Sequence, residues 1–255
     1  MHCLADLPQT YFWMQTHNPM ADAFNERIQE GLDSKEGSVR EESSEIDFDE
    51  NSKVNKKTIF GSELESGSEL ENIGKFEKHI PYSYATALFF YSHSSNYSKI
   101  TWALKYKGML GVGKYFGSIL GSKLKEGWGK DVDLIIPVPL HWKRKWSRGY
   151  NQAEIIARAV AEELGIQIDL DILKRTKYTK SQAKLSGEEK VKNVQGAFSV
   201  NKKSKILSSD NILHILLVDD VFTSGSTLTA CYFALREHFP PQVRISIATL
   251  GFVRD

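Results

Sequence analysis

ILLVDDVFTSGSTLTAC, residues 215–231, decides the fold. An apolar run ends in two adjacent acids, Asp219 and Asp220, followed by Val221-Phe222 and the small polar string Thr223-Ser224-Gly225-Ser226-Thr227. The wider run NILHILLV (211–218) is almost continuously apolar, the pattern of a central parallel strand covered on both faces. After the small residues, Leu228, Cys231 and Leu235 share one helical face, and the helix must stop before Pro240-Pro241. The stretch is therefore a strand, a tight turn and a helix.

Working outward, ATALFFY (85–91) reads as a strand leading to a polar turn at 92–96. Residues 98–107 place Ile100, Ala103 and Leu104 at helical spacing before Gly108. A second helix, 112–125, carries Phe116, Ile119, Leu120 and Leu124 on one face. LIIPV (134–138) is a short buried strand. After a basic loop comes the helix NQAEIIARAVAEELG, with Ile155, Ile156, Ala159, Val160 and Leu164 inward and Gly165 closing it. Val243, Ile245 and Ile247 alternate with polar or small neighbours, which predicts a half-exposed strand near a sheet edge. Alternating strands and helices predict an α/β domain, a mainly parallel sheet flanked by helices. Such sheets bind ligands beyond their strands' carboxyl ends, where Asp219, Asp220 and the Pro137–Tyr150 loop are expected.

Charge divides the chain. Residues 29–79 hold 14 Asp/Glu against 7 Lys/Arg, leaving 18 against 26 elsewhere, so the overall +1 conceals a basic remainder of +8. That suits phosphates or nucleic acid, and solvated lysine-rich faces would also produce it. The expected organisation is a short N-terminal region (1–28), an acidic, Ser/Glu/Gly-rich disordered insertion (29–78) and a folded domain (79–255). Two cysteines, Cys3 and Cys231, imply no disulfide framework. No apolar run reaches the ~18 residues of a membrane span, so a cytoplasmic location is expected.

The chemistry of 219–227 has two readings. A small-residue turn opening a helix offers convergent amides and a positive dipole end to an anion, with hydroxyls from Thr223, Ser224, Ser226 and Thr227 beside them. Two carboxylates just upstream suit vicinal hydroxyls, or a hydrated Mg²⁺ completed by substrate phosphate oxygens. A sugar phosphate satisfies both halves. The alternative is a plain strand-to-helix turn, since acids and small polar residues are common at helix starts.

This stretch resembles the ribose-phosphate motif of the type I phosphoribosyltransferases, and within them the region from about Tyr97 to Val253 is similar to the ComF competence family. SKITWALKYKG, IIPVPLHWKRKWSRGYNQAE, KRTKYTKSQAKLSGEEKVKNVQGAF and LLVDDVFTSGST carry the likeness, in that order. The resemblance implies a type I phosphoribosyltransferase-like fold binding 5-phosphoribosyl 1-diphosphate with Mg²⁺. Asp219 and Asp220 would be the catalytic acids by the ribose, touching the metal indirectly, and Val221 to Thr227 would wrap the 5′-phosphate. Arg148, Gly149, Lys145 and Arg175 would meet the pyrophosphate. A loop holding Thr179, Gln182, Leu185, Lys190 and Asn193 matches the family's mobile loop, with Lys190 where relatives usually have Arg. Transfer would go to an unknown acceptor, and no general base can be named. Relatives also commonly begin with a zinc module of two C-x-x-C pairs. Here Cys3 is the one candidate ligand left, so either the module is lost or the start is placed late.

The basic stretch HWKRKWSRGYNQ admits three readings. It can serve pyrophosphate. It can bind single-stranded DNA, with Trp142 and Trp146 stacking on bases while Lys143 and Arg144 follow the backbone. Or its aromatics can simply pack beneath a solvated basic face. The family's name and its usual helicase-like competence partner point to DNA handling in natural transformation. GMLGVGKY (108–115) copies the spacing of a P-loop until Tyr115, and its helical surroundings exclude that motif. The seven histidines show no metal spacing; His214 and Cys231 are expected in the core.

Overall fold

In a computed structural model the described residues are 9–44, 80–91, 98–177, 196–202, 204 and 212–253. The fold is α/β, a five-stranded parallel sheet flanked by helices. Helix α1 (Pro19–Ser44) precedes strand β1 (Ala85–Tyr91), then helices α2 (Ser98–Tyr106) and α3 (Leu110–Glu126), and strand β2 (Leu134–Pro137). The short helix α4 (Trp142–Arg148) and helix α5 (Gln152–Leu164) lead to β3 (Gln167–Ile168). A separate antiparallel pair, β4 (Leu173–Arg175) with β5 (Phe198–Val200), follows. The chain ends with β6 (His214–Phe222), α6 (Ser226–Arg236) and β7 (Arg244–Val253). Sheet order is β1-β7-β6-β2-β3, every neighbour parallel.

Alternate residues of β6 feed two cores. Ile215 and Leu217 pack with Ile245 and Ile247 of β7, Leu228 and Leu235 of α6, and Met20, Phe24 and Ile28 of α1. Leu216 and Val218 face the opposite layer, with Leu120 and Leu124 of α3 and Ile156 and Val160 of α5. Burial on both faces explains why β6 reads as an unbroken apolar run. Helices α3 and α5 lie close because Gly117 and Gly121 leave room. A β-carbon on Gly117 would stand 2.8 Å from Ala159 Cβ and 2.9 Å from Ile156 O, and one on Gly121 would stand 2.7 Å from Glu163 Cβ. Of the glycines in the P-loop look-alike, Gly108 precedes α3, Gly111 lies in it with nothing within 4 Å of a would-be β-carbon, and Gly113 lies in it against Leu104 and Ile155.

Four expectations need revision. Strand β6 does not stop at Val218 but runs through Asp219 and Asp220 to Phe222. Strand β7 lies between β1 and β6, not near an edge, and residues 245–252 are buried. Its polar residues are satisfied inside: Ser246 Oγ accepts from Tyr84 N at 3.0 Å and lies 2.7 Å from His214 Nε2. Arg244 stacks its guanidinium 4.2 Å over the Tyr84 ring and donates from Nε to Tyr82 O at 3.1 Å. The basic loop is helical. His141 Nδ1 accepts from Lys143 N at 3.2 Å to open α4, and Gly149, at φ 86°, closes it by donating to Lys145 O at 2.7 Å. Finally, α1 passes the boundary at residue 29 to reach Ser44, and its first turns are core rather than a separate unit. The turn at 92–96, Cys3 and the rest of the acidic segment beyond Ser44 up to residue 79 lie outside the described residues.

Candidate functional site

A cleft of about 920 Å³ opens at the carboxyl ends of the strands. Tyr91 ends β1, Phe252 and Val253 end β7, Asp219 to Phe222 end β6, and Val138 to Leu140 follow β2; all line it. This is where a parallel sheet places a ligand, because the helices that follow the strands point their amino ends there.

The floor is the turn from β6 into α6. Gly225 adopts φ 74°, and no side chain caps the helix that begins at Ser226. The helix start therefore keeps its positive dipole end facing the cleft, framed by Thr223, Ser224, Ser226 and Thr227. Ser224 Oγ and Ser226 Oγ lie 2.9 Å apart, so the two hydroxyls share one proton direction and leave lone pairs and a donor for a guest. A β-carbon on Gly225 would stand 2.7 Å from Phe222 Cζ, so glycine is needed both for its torsion and for space.

Beside the floor stand the two acids. Asp219 Oδ1 accepts from the Asp220 amide at 2.8 Å. Burial, then the neighbouring Asp220 charge, pushes the Asp219 carboxyl up from 3.8 to about 7. Asp220 is almost buried, and Lys105 Nζ of α2 approaches its Oδ2 to 2.6 Å, as a close ion pair rather than a well-aligned hydrogen bond. Burial opposes the charge on Lys105, but Asp220 outweighs it and holds the ammonium above its ordinary pKa.

The walls are cationic. Arg27, Lys105, Arg144, Arg148 and Arg175 line the cleft, five cations against the two carboxylates. Arg148 reaches from the end of α4, donating to Gln152 Oε1 and lying 5.8 Å over the Tyr106 ring. Arg175, at the end of β4, is held below its ordinary pKa by burial and then by Arg144 nearby. Two guanidinium groups repel unless an anion sits between them, so this pairing favours a multiply charged guest. A second cleft of about 530 Å³ adjoins the first, sharing Lys105, Tyr106, Arg144 and Arg148 and adding Lys143 and Tyr150.

No family model matches the chain. Over 107 residues it is 38% identical to competence protein F of Haemophilus influenzae, a stretch covering 41% of this chain and 44% of that protein. Over 96 residues it is 34% identical to the DNA utilization protein YhgH of Salmonella typhi and of Shigella flexneri, covering 38% of this chain and 40% of each relative. These matched stretches support the likeness to the ComF family. The matched stretches span less than half the length of these relatives.

Of the residues singled out in the sequence, Asp219 to Thr227, Arg148 and Arg175 meet in one cleft. Lys145 turns away to Glu154 on α5, 3.4 Å distant, and it and Gly149 are not among the residues lining the cleft. Arg144, assigned with the nucleic-acid group, lines both clefts. Trp142 and Trp146 are 64% and 87% exposed, so they do not pack beneath a basic face. Thr179, Gln182, Leu185, Lys190 and Asn193 lie outside the described residues. Sequence reasoning missed Arg27, Lys105 and Tyr106. Lys105 sits in the family-like string SKITWALKYKG without a chemical signature of its own, and Arg27 gives no signal at all. Among the described residues no three His, Cys, Asp or Glu side chains gather as a metal cage, and no helix is long and apolar enough to cross a membrane.

Proposed function

We propose that the chain takes part in DNA uptake or utilization, holding single-stranded DNA along helix α4. One observation carries this reading: Trp142 and Trp146 stand exposed on the helix that also bears Lys143, Arg144, Lys145 and Arg148. Exposed indoles among cations suit unstacked bases and phosphates together. The names of the relatives support the same class of role. A helicase-like competence ATPase is the partner this reading proposes. Fluorescence anisotropy with a labelled oligonucleotide over a salt series tests it. Trp142→Ala with Trp146→Ala should weaken binding by about tenfold, as loss of one to two stacked bases does. Neutralising Lys143 and Arg144 should flatten the salt dependence. Wild-type affinity in both variants would end the proposal.

A second reading, favoured by the uncapped start of α6 beside Asp219 and Asp220, is a phosphoribosyltransferase-like cleft. Residues 223–227 would take the 5′-phosphate, the acids the ribose hydroxyls, and Arg148 with Arg175 the diphosphate of 5-phosphoribosyl 1-diphosphate. Any transfer would displace pyrophosphate at the anomeric carbon in favour of an acceptor. Two carboxylates match the number a hydrated Mg²⁺ takes when the ligand's phosphates supply further oxygens. The ion would neutralise the leaving diphosphate. Calorimetry with the diphosphate sugar tests the reading, since Asp219→Asn with Asp220→Asn should remove the binding. Unaltered affinity would refute it.

A further inference from the structure

We infer that Lys105 is the resident cation of the Asp219–Asp220 pair, standing where a divalent ion would otherwise bind, so that the ligand-free protein has no open metal site there. The inference rests on the sugar-phosphate reading only for what the cleft finally binds; the ion pair itself stands on geometry.

The observations converge on one ammonium. Among the described residues Lys105 is the one lysine lining the main cleft, and its Nζ lies 2.6 Å from Asp220 Oδ2. The lysine side chain is 30% exposed and the carboxylate 6%, so the pair sits at the cleft wall with its acid end inward. A carboxylate this buried needs a counter-charge. The Asp220 amide is already spent on Asp219 Oδ1, and Arg175 acts on Asp219 through its charge, whereas Lys105 is in ion-pair contact with Asp220. An ammonium is a compact point charge on a flexible stem, and it can withdraw in a way that a guanidinium stacked on a ring cannot. Contrast Arg148, anchored over Tyr106 and bonded to Gln152.

Two consequences follow. Divalent metal enters the acid pair only with a phosphorylated ligand, whose oxygens complete its coordination while Lys105 moves to the phosphate. Any affinity of the bare protein for metal is also suppressed, since Mg²⁺ dehydrates reluctantly and must compete with a charge already in place.

Mn²⁺ is the probe, followed by the loss of its free paramagnetic resonance signal on titration into the full chain without any ligand. The wild-type chain should bind it no more tightly than about 1 mM, a weak-site value. Lys105→Gln should bind at least about tenfold tighter, in competition with Mg²⁺, since removing one adjacent cation raises the local affinity for another. Adding Asp220→Asn to that variant should abolish the gain. Lys105→Arg keeps the charge and should behave as the wild type, which guards the result should the glutamine variant fail to fold. Tight Mn²⁺ binding by the wild-type chain would overturn the inference, and so would a folded Lys105→Gln protein with no gain. Calorimetry of the diphosphate sugar with the wild-type chain, in chelator and in Mg²⁺, is read separately. Failure there removes the sugar-phosphate reading and leaves the metal-exclusion result to stand or fall on Mn²⁺ alone.

Discussion

The Cδ atom of Arg27 lies 3.2 Å from the point where a β-carbon on Gly225 would stand. This contact ties α1, far upstream in sequence, to the turn that opens α6, and brings a guanidinium to a cleft lined, outside α1, by residues from Tyr91 onward. Arg27→Met should keep the fold and weaken binding of a phosphate-bearing ligand by about tenfold, the loss of one charge-assisted contact. Gly225→Ala should do more. It forces an L-residue into φ 74°, a cost of about 1–2 kcal/mol, and drives its methyl into Phe222. Calorimetric titration and thermal melts of both variants check this; an alanine variant that melts with the wild type would refute it.

Helix α3 offers a paired comparison. Gly117→Ala places a methyl against Ala159 Cβ and a backbone carbonyl of α5, so separating the helices should cost about 1–3 kcal/mol despite the better helix propensity of alanine. Gly111 has nothing within 4 Å of its would-be β-carbon, and Gly111→Ala should stabilise by up to about 1 kcal/mol. Urea denaturation should show opposite signs. Equal signs would mean α3 and α5 are not packed as described.

Asp219 should destabilise the fold when charged. Its carboxyl ionises near 7 in the fold and near 3.8 ordinarily, so between these values the folded state holds a proton that the unfolded state has lost. Stability falls as pH rises through that window, and the cost is complete above it. Asp219→Asn should therefore raise stability by about 1–2 kcal/mol near pH 8, with the difference vanishing near pH 4. On the sugar-phosphate proposal the same variant should also weaken binding of the diphosphate sugar, which would mark the acid as kept for binding rather than stability.

His214 works in the opposite sense. Burial, then Arg244, pushes its pKa from 6.5 down to about 4, and the Trp128 ring stacks 5.9 Å from it. The unfolded chain takes up a proton below 6.5 that the folded chain refuses until about 4. Acidification through that window should cost about 2 kcal/mol, and His214→Phe should flatten this acid limb of a melting-temperature profile. An unchanged slope would show that another group controls it.

Local pattern carried much of the fold. The apolar run before Asp219 could only be a strand covered on both sides, and the small residues after Phe222 could only turn and start a helix, because burial period and backbone torsion act over a few neighbours. The anion-and-acid character of 219–227 was legible for the same reason, whereas Arg148 and Arg175, which line the cleft, were singled out through the family resemblance. Strand order was not. The polar alternation of β7 suggested an edge, and only its neighbours Tyr84 and His214 show how Ser246 and Arg244 are satisfied inside.

What the sequence determined by itself was the α/β class and the strand-turn-helix at 215–231. Tertiary structure decided which charges meet there. Lys105 and Arg27 reach the acids and the floor of the cleft from helices whose sequences carry no chemical signature of the site, while Lys145, from the most basic stretch, turns to Glu154 instead. A side chain's partner depends on the direction in which its helix docks, and docking is set by the summed burial of apolar faces from distant segments, which no local window contains.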